Sequence, residues 1–500
     1  MNIAMLLDMA TDGFGHRTAL RSAEPDGLTL DYARLRSTAA AVAADLRAAA
    51  PGAALAYLGP THPAAPVALF GAAYAGTVYA PLNHRLPAAS LSALIARTLP
   101  ARAVARTQDL ATATEAGAHP VTPLDDWLAG LLAAPGVPDG PLEPQAPAIL
   151  LFTSGTSAQP KAIKLSHDNL IAYILGTVEF GSAGEDEGLL LAVPPFHIAG
   201  VSAVLSSVYC GRTIVTLPAF TAEAWLAAAR RHAITHAFLV PTMLARIVEA
   251  MEADPSLRVP TLGHLAYGGA RMPLPVLERA LELFPDAGFV NAYGLTETSS
   301  TIAVLGPDDH RAAHQGDAAA RARLGSVGRP VPGIEVRIQD ETGAEVKPGM
   351  RGELLLRGPQ VAAAGSGAAT DADGWFATGD LATLDDAGYL FVHGRGDDTI
   401  IRGGENIGPG EIEDTLLRHP AVAAVCVVGL PDPEWGERIA AAVVLHPGEA
   451  ARDSDLAEWL RGRLGSLKTP QRLHLVAELP MTPTGKIIRR QVKADLAERE

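Results

Sequence analysis

Four short stretches of this chain gather residues able to do chemistry. The first, "FTSGTSAQPKA" from Phe152 to Ala162, sets hydroxyls and a glycine directly after an apolar run and follows them with Lys161. Glycine lets backbone N–H groups converge on an anion, Ser and Thr add short donors, and lysine adds compact positive charge, so the loop suits a phosphate. It lacks the G-x-x-x-x-G-K-[ST] spacing of the common nucleotide loop, and a Walker-type fold is not expected. Taken alone, it also reads as a solvated linker. The second stretch, "NAYGLTETSS", supplies Tyr293, Thr296 and Glu297: an aromatic face for a base, a hydroxyl for a phosphate and a carboxylate for Mg²⁺. In "GWFATGDL", Asp380 lies between a glycine and a strand, where a carboxylate can accept from two ribose hydroxyls. The fourth, "MTPTGKIIRR", presents Lys486 on a short loop between apolar segments.

Such scattered groups converge only if a large scaffold positions them. The chain has 500 residues, 48% of them hydrophobic, enough for several buried cores. From the start to about residue 135, helices rich in Ala and Leu alternate with short apolar strands such as "AALAYLGP" and "AGTVYAPLN", which predicts a layered α/β domain. A Pro- and Gly-rich stretch, 135–147, leads into "AILLF", a buried strand that delivers the chain to the phosphate-binding loop. Strand and helix units continue to about residue 305 in a doubly wound pattern. From Leu324 the texture turns to short β-branched segments, "IEVRIQD" and "GELLLRG", which predict a small β-barrel-like part. It closes with the hairpin turn "LDDAGYL" and a polar tether from Gly394 to Asp398. Beyond the tether, about 100 residues suffice for a separate small α+β domain.

Composition narrows the partners. Charged residues are 19% and the net charge is −15, so no bulk basic field gathers nucleic acid or anionic lipid, and any phosphate is bound locally. Cys210 and Cys426 sit in apolar stretches and read as buried thiols in a reducing compartment rather than as a disulfide or metal site. The first residues carry Asp8 and Asp12 and no basic leader, so a cytoplasmic location is expected. The longest apolar stretch, 189–210, is broken by Pro194, Pro195, His197 and Gly200, which predicts strand, loop and core helix with no membrane span.

In this order and at these separations, the four stretches resemble the adenylate-forming superfamily of acyl-CoA synthetases, carrier-protein adenylation domains and luciferases. The resemblance runs over essentially the whole chain and is closest, in motif, to acyl- and aryl-CoA ligases. It implies an α/β fold: an N-terminal adenylation core of doubly wound subdomains plus a small β-barrel (1–395), a hinge (396–398) and a mobile α+β C-terminal domain (399–500) carrying the catalytic lysine. It also implies two half-reactions. A carboxylate attacks the α-phosphorus of Mg·ATP to give acyl-AMP and pyrophosphate, and a thiol then displaces AMP.

Residue by residue, the resemblance implies that Thr153, Ser154, Gly155, Thr156, Ser157 and Lys161 embrace the ATP phosphates. Ser157, Ala158 and Ala162 depart from the threonine and two glycines usual there, and the lost glycines restrict the backbone of the loop. A second departure is "VAAAGSGAATDADGWF", where relatives carry aromatics. Gly269, Ala270, Arg271, Asn291, Tyr293, Asp380 and Arg395 match the adenosine site, with Glu297 holding Mg²⁺ beside Thr296. Lys486 matches the cation bridging carboxylate and phosphate, and Asp397 the hinge. Gly403, Gly404 and Trp435 match the channel for a pantetheine thiol, although Trp435 reads equally as core packing.

His197 in "VPPFHIAG" stands where amino-acid-activating relatives place an aspartate that pairs with the substrate ammonium. An unpaired ammonium in an apolar pocket is costly, so α-amino acids are disfavoured. The other expected pocket residues, Ile198, Ala199, Gly200, Gly268, Ala292, Gly294, Ser299 and Ser300, are small and uncharged, and an aryl or medium-sized apolar acid fits best. The acceptor is CoA on the leading reading. Phosphopantetheine on an acyl carrier protein, another nucleophile or oxyacid, and a non-catalytic adenylate-binding protein are the alternatives.

Overall fold

A computed structural model of the chain describes residues 1–138, 147–153, 160–395, 398–402, 405–482 and 485–499. Strands that read as unbroken apolar runs are those covered on both faces, and they build two mainly parallel sheets. One has six strands in the order Val121–Pro123, Ala101–Ala105, Ala54–Leu58, Tyr79–Pro81, Ile149–Thr153 and Lys161–Leu165, the last antiparallel. The other has nine, running from Arg329–Pro330 through Ser300–Leu305, Gly288–Leu295, His264–Gly268, His236–Leu239, Gly188–Leu191, Thr213–Thr216 and Thr18–Ser22 to Thr29–Asp31. Its centre is parallel and both margins are antiparallel. The layered α/β part expected up to about residue 135 does not keep all its strands in one sheet. Thr18–Ser22 and Thr29–Asp31 leave it and join the second sheet, because Leu20 pairs with Ile214 and Ser22 with Thr216.

The stretch 189–210 folds as expected into the strand Gly188–Leu191, a loop and the helix Ile198–Cys210, which ends on Gly211 in the left-handed conformation. Among the described residues no helix is long and apolar enough to cross a membrane. Both cysteines are buried free thiols.

The β-rich part beyond Leu324 is an open meander rather than a closed barrel: Glu335–Gln339, Gly352–Arg357, Phe376–Leu384 and Leu390–Arg395 pair in simple succession. Four strands are too few to close around filled side chains. The sheet instead buries Ile338, Leu354, Leu356, Ala382 and Leu390 against Ile302 and Ala303 of the nine-stranded sheet. The final part has cores of its own, drawn only from residues after 399. There a five-stranded sheet, chiefly the long pair Val422–Asp432 and Gly436–Leu445, carries the helices Pro409–Leu417, Asp453–Leu464 and Arg489–Ala497.

Candidate active site

The strands on either side of the expected phosphate loop, Ile149–Thr153 and Lys161–Leu165, pair as a hairpin. Phe152 pairs with Ala162 and Thr153 with Lys161, so the two strands converge on the loop between them and Lys161 points to solvent at its base. Ser154, Gly155, Thr156 and Ser157 lie outside the described residues. The unusual stretch after Val361 now has a physical account. Lys164 N–H donates to the Ser366 carbonyl at 2.9 Å. At Gly367, φ is +97° and a Cβ would lie 2.0 Å from the Ala162 carbonyl oxygen. A glycine is required at 367 because the segment lies backbone to backbone against the strand that bears Lys161.

Across the cleft, the ends of His264–Gly268 and Gly288–Leu295 bring the nucleotide candidates together. Tyr293 donates its hydroxyl to Asp380 at 2.5 Å, and the other carboxylate oxygen takes Arg395 Nε at 2.9 Å. Arg395 also donates to the Thr378 carbonyl at 2.8 Å, and Thr378 Oγ1 accepts from the Asp380 N–H. Burial raises the Asp380 pKa, opposed by the Arg395 charge and the tyrosine hydrogen bond. The carboxylate is therefore fixed by two partners. Asn291 donates its amide to the Ser326 carbonyl at 3.1 Å. Gly269 and Ala270 form an exposed strand end.

Arg271 is placed differently from the adenosine expectation. Its guanidinium is bonded to Asp414 and to the Gly410 carbonyl of the C-terminal part, so in this pose it is committed to that part.

Thr296 and Glu297 occupy one 3-10 turn, and the Glu297 carbonyl accepts from Ala362 N–H at 2.7 Å. Among the described residues no group of three or more His, Cys, Asp or Glu could hold a metal by itself.

Lys486 is tied back to Thr482 where its turn closes: Thr482 N–H donates to the Lys486 carbonyl at 2.7 Å, and Lys486 N–H to Thr482 Oγ1 at 3.0 Å. The turn reaches across to the large part. Its Nζ lies 3.9 Å from where a Cβ of Gly269 would be, and Gly485 abuts Thr242. Lys486 is exposed. Even so, the surrounding protein lowers its pKa by desolvation and, secondarily, by the Arg395 charge.

His197 faces the same cleft from the start of the helix Ile198–Cys210, its ring tilted on Phe196 at 4.8 Å. Burial first, then the Lys486 and Arg85 charges, depress its pKa to about 3, so it is neutral at physiological pH. Ile198, Ala199 and Ala292 are partly exposed beside it.

Gly268 pairs with Ala292, and Gly200 sits in the helix's first turn. A Cβ at Gly294 would lie 1.7 Å from the Ser300 carbonyl oxygen, so this glycine serves strand contact. Ser299 and Ser300 both have positive φ, 55° and 121°. Ser300 donates to Ser202 Oγ at 3.0 Å, while Ser299 Oγ is buried without a partner among the described residues. Ser202 and Thr242 were not picked out from the sequence, because a lone serine or threonine in an apolar helix carries no local signal.

Trp435 is 38% exposed, with Arg402 over its ring at 5.4 Å, so it is not a core residue. Gly403 and Gly404 lie outside the described residues, as does Asp397.

The same division appears in known proteins. The family model of AMP-binding enzymes matches residues 7–364, and that of the AMP-binding enzyme C-terminal domain matches 411–486. A feruloyl-CoA synthase from Amycolatopsis is 35% identical, covering 96% of each chain. A fatty acid–[acyl-carrier-protein] ligase from Streptomyces coeruleorubidus is 34% identical over 94% of this chain and 92% of its own. Among solved structures, o-succinylbenzoate CoA synthetase from Bacillus subtilis, in complex with its acyl-adenylate intermediate, superposes with a TM-score of 0.82 at 28% identity, covering 98% of this chain and 97% of its own. By these matches, the chain belongs to the AMP-binding enzyme family of adenylate-forming acid ligases.

Proposed function

We propose that this protein activates an apolar carboxylic acid, aryl or medium-sized acyl, as its adenylate with release of pyrophosphate, and then transfers the acyl group to the thiol of CoA. The observation that carries the reading is the approach of Lys486 to Gly269 at the nucleotide wall, within electrostatic reach of His197. The first half-reaction brings one anion onto another, so its barrier falls mainly through fixed positive charge and positioning. Lys486 is the cation best placed to bridge the carboxylate and the α-phosphate. Tyr293, Asp380 and Arg395 are assigned to the adenosine, the hairpin with Thr153 and Lys161 to the β- and γ-phosphates, and Thr296 to the phosphate edge. Bound at Glu297, Mg²⁺ would supply charge neutralisation for the phosphate oxygens.

A neutral His197 beside Ile198 and Ala199 provides no countercharge for an ammonium, which supports an acid without an α-amino group. The feruloyl-CoA and o-succinylbenzoate relatives, whose names give aryl acids, support the same choice. For the second half-reaction, the hinge at 396–398 would swing the domain 399–500 so that Gly403, Gly404 and the exposed Trp435 line a pantetheine path in place of Lys486. The carrier-protein ligase among the relatives keeps a carrier-bound phosphopantetheine as the alternative acceptor. A cytoplasmic location, where ATP and CoA are at hand, agrees with two buried thiols. The test is acid-dependent ATP–pyrophosphate exchange over a panel of aryl, acyl and amino acids, followed by CoA or a phosphopantetheinylated carrier. Exchange with amino acids alone overturns the pocket reading, and no exchange with any acid overturns the enzyme reading.

A further inference from the structure

The pose that brings Lys486 to the cleft needs something to hold it, and side chains on both parts meet close by. Arg271 follows directly on the Gly268–Ala270 segment that faces Lys486. It donates through NH1 to Asp414 Oδ1 at 3.0 Å, through NH2 to Asp414 Oδ2, and through NH1 to the Gly410 carbonyl at 3.3 Å. Asp414 is largely buried, its side chain 12% exposed, while that of Arg271 is 47% exposed. The residue before it, Glu413, accepts from Arg489 at 2.7 Å, and Arg489 stands three positions beyond Lys486. Neighbouring carboxylates on one helix therefore grip the large part on one side and the end of the lysine turn on the other. A second ion pair, Arg418 to Glu278 at 3.1 Å, lies on the same boundary.

We propose that Arg271 and Asp414 form the docking pair that sets the lysine-in pose, making both positioning residues for adenylation. This rests on the adenylating role proposed for Lys486. The pair is bidentate, which fixes orientation as well as distance. Its arginine side is open to water, so the guanidinium can be solvated and the pair can release when the C-terminal part must leave for the thiol step. A fully buried pair would hold one pose at the expense of the other.

Two readouts test it. Asp414→Asn is expected to slow acid-dependent ATP–pyrophosphate exchange by roughly tenfold, as a shift in the docked population does. Thioester formation from supplied acyl-AMP should stay within about twofold of the parent. The charge swap Arg271→Asp with Asp414→Arg should recover most of the exchange.

Independently of activity, spin labels at Glu282→Cys and Glu458→Cys report the separation of the two parts by pulsed dipolar spectroscopy, since both native cysteines are buried. Asp414→Asn should broaden that distance distribution toward longer values. Equal loss in both half-reactions, no loss in either, failure of the swap, or an unchanged distribution each overturns the docking pair. If the parent protein exchanges with no acid, it is the proposed activity that fails, and the spin-label distances still decide the docking pair.

Discussion

Replacing Lys486 by alanine separates the two half-reactions. The ammonium lies beside Gly269, at the end of His264–Gly268, where surrounding protein lowers its pKa. At an effective dielectric near 20, a unit charge about 4 Å from developing negative charge contributes about 4 kcal/mol. Removing a single preorganised donor from an oxyanion site costs about 3 kcal/mol. Lys486→Ala should therefore lower the rate of acid-dependent pyrophosphate exchange by roughly 10²- to 10³-fold. Binding of ATP, read by KM, should change far less, because the charge acts on the transition state. Thioester formation from purified acyl-AMP and thiol should keep most of its rate, since that step is assigned to the other domain pose. The lysine must be protonated to act, so exchange in the parent should also fall as pH rises through its lowered pKa, and Lys486→Ala should lose that limb. Equal loss with acyl-AMP and with acid plus ATP, in a folded variant, refutes the assignment.

Two further outcomes follow from the packing. Gly367→Ala combines a positive φ with a Cβ 2.0 Å from the Ala162 carbonyl, so it should cost about 3 kcal/mol in chemical denaturation and raise KM for ATP through the displaced hairpin. A normal KM would separate that segment from the phosphate loop. Burial depresses the His167 pKa to about 4, and its Nδ1 accepts from Ile3 N–H at 3.2 Å, which requires the neutral ring. The unfolded chain takes up that proton first, so this contribution is intact above pH 6.5 and is lost as pH falls from there toward 4. His167→Gln should reduce the slope of unfolding free energy in that window by about 1.4 kcal/mol per pH unit. An unchanged slope shows that other groups carry the acid sensitivity.

What could be read in advance was what is written locally. Strands such as Ala54–Leu58 and His236–Leu239 announce themselves as short apolar runs, and the helix Ala222–Arg231 by its spacing and its Thr221 cap. The sequence offers Tyr293 and Asp380 in separate stretches, and the structure joins them with Arg395 in one hydrogen-bonded chain. Long-range choices were not legible. Nothing local directs Thr18–Ser22 to a strand almost two hundred residues away, since either sheet would bury Ala19 and Leu20. Arg271 was assigned to adenosine from its place in a motif, yet its partner is 143 residues on and belongs to the C-terminal part. Small residues in the stretch after Val361 are explained only by the backbone of a distant strand.

The pairing of Thr18–Ser22 with Thr213–Thr216 has a consequence for the order of events during synthesis. The opening strands leave the ribosome first, but their partner strand is made about 190 residues later. At roughly 5–20 residues per second, that leaves an apolar segment waiting about 10–40 s for its place. Meanwhile the six-stranded sheet, whose strands all fall between residues 54 and 165, has every partner it needs. It can fold first and offer a surface on which Leu6, Leu7 and Ala10 of the first helix find cover, because all three share a core cluster with Tyr57, Val67 and Phe70. A nascent-chain pulse-proteolysis series should therefore show protection of the 54–165 region well before Thr18–Ser22 and Thr29–Asp31 become resistant.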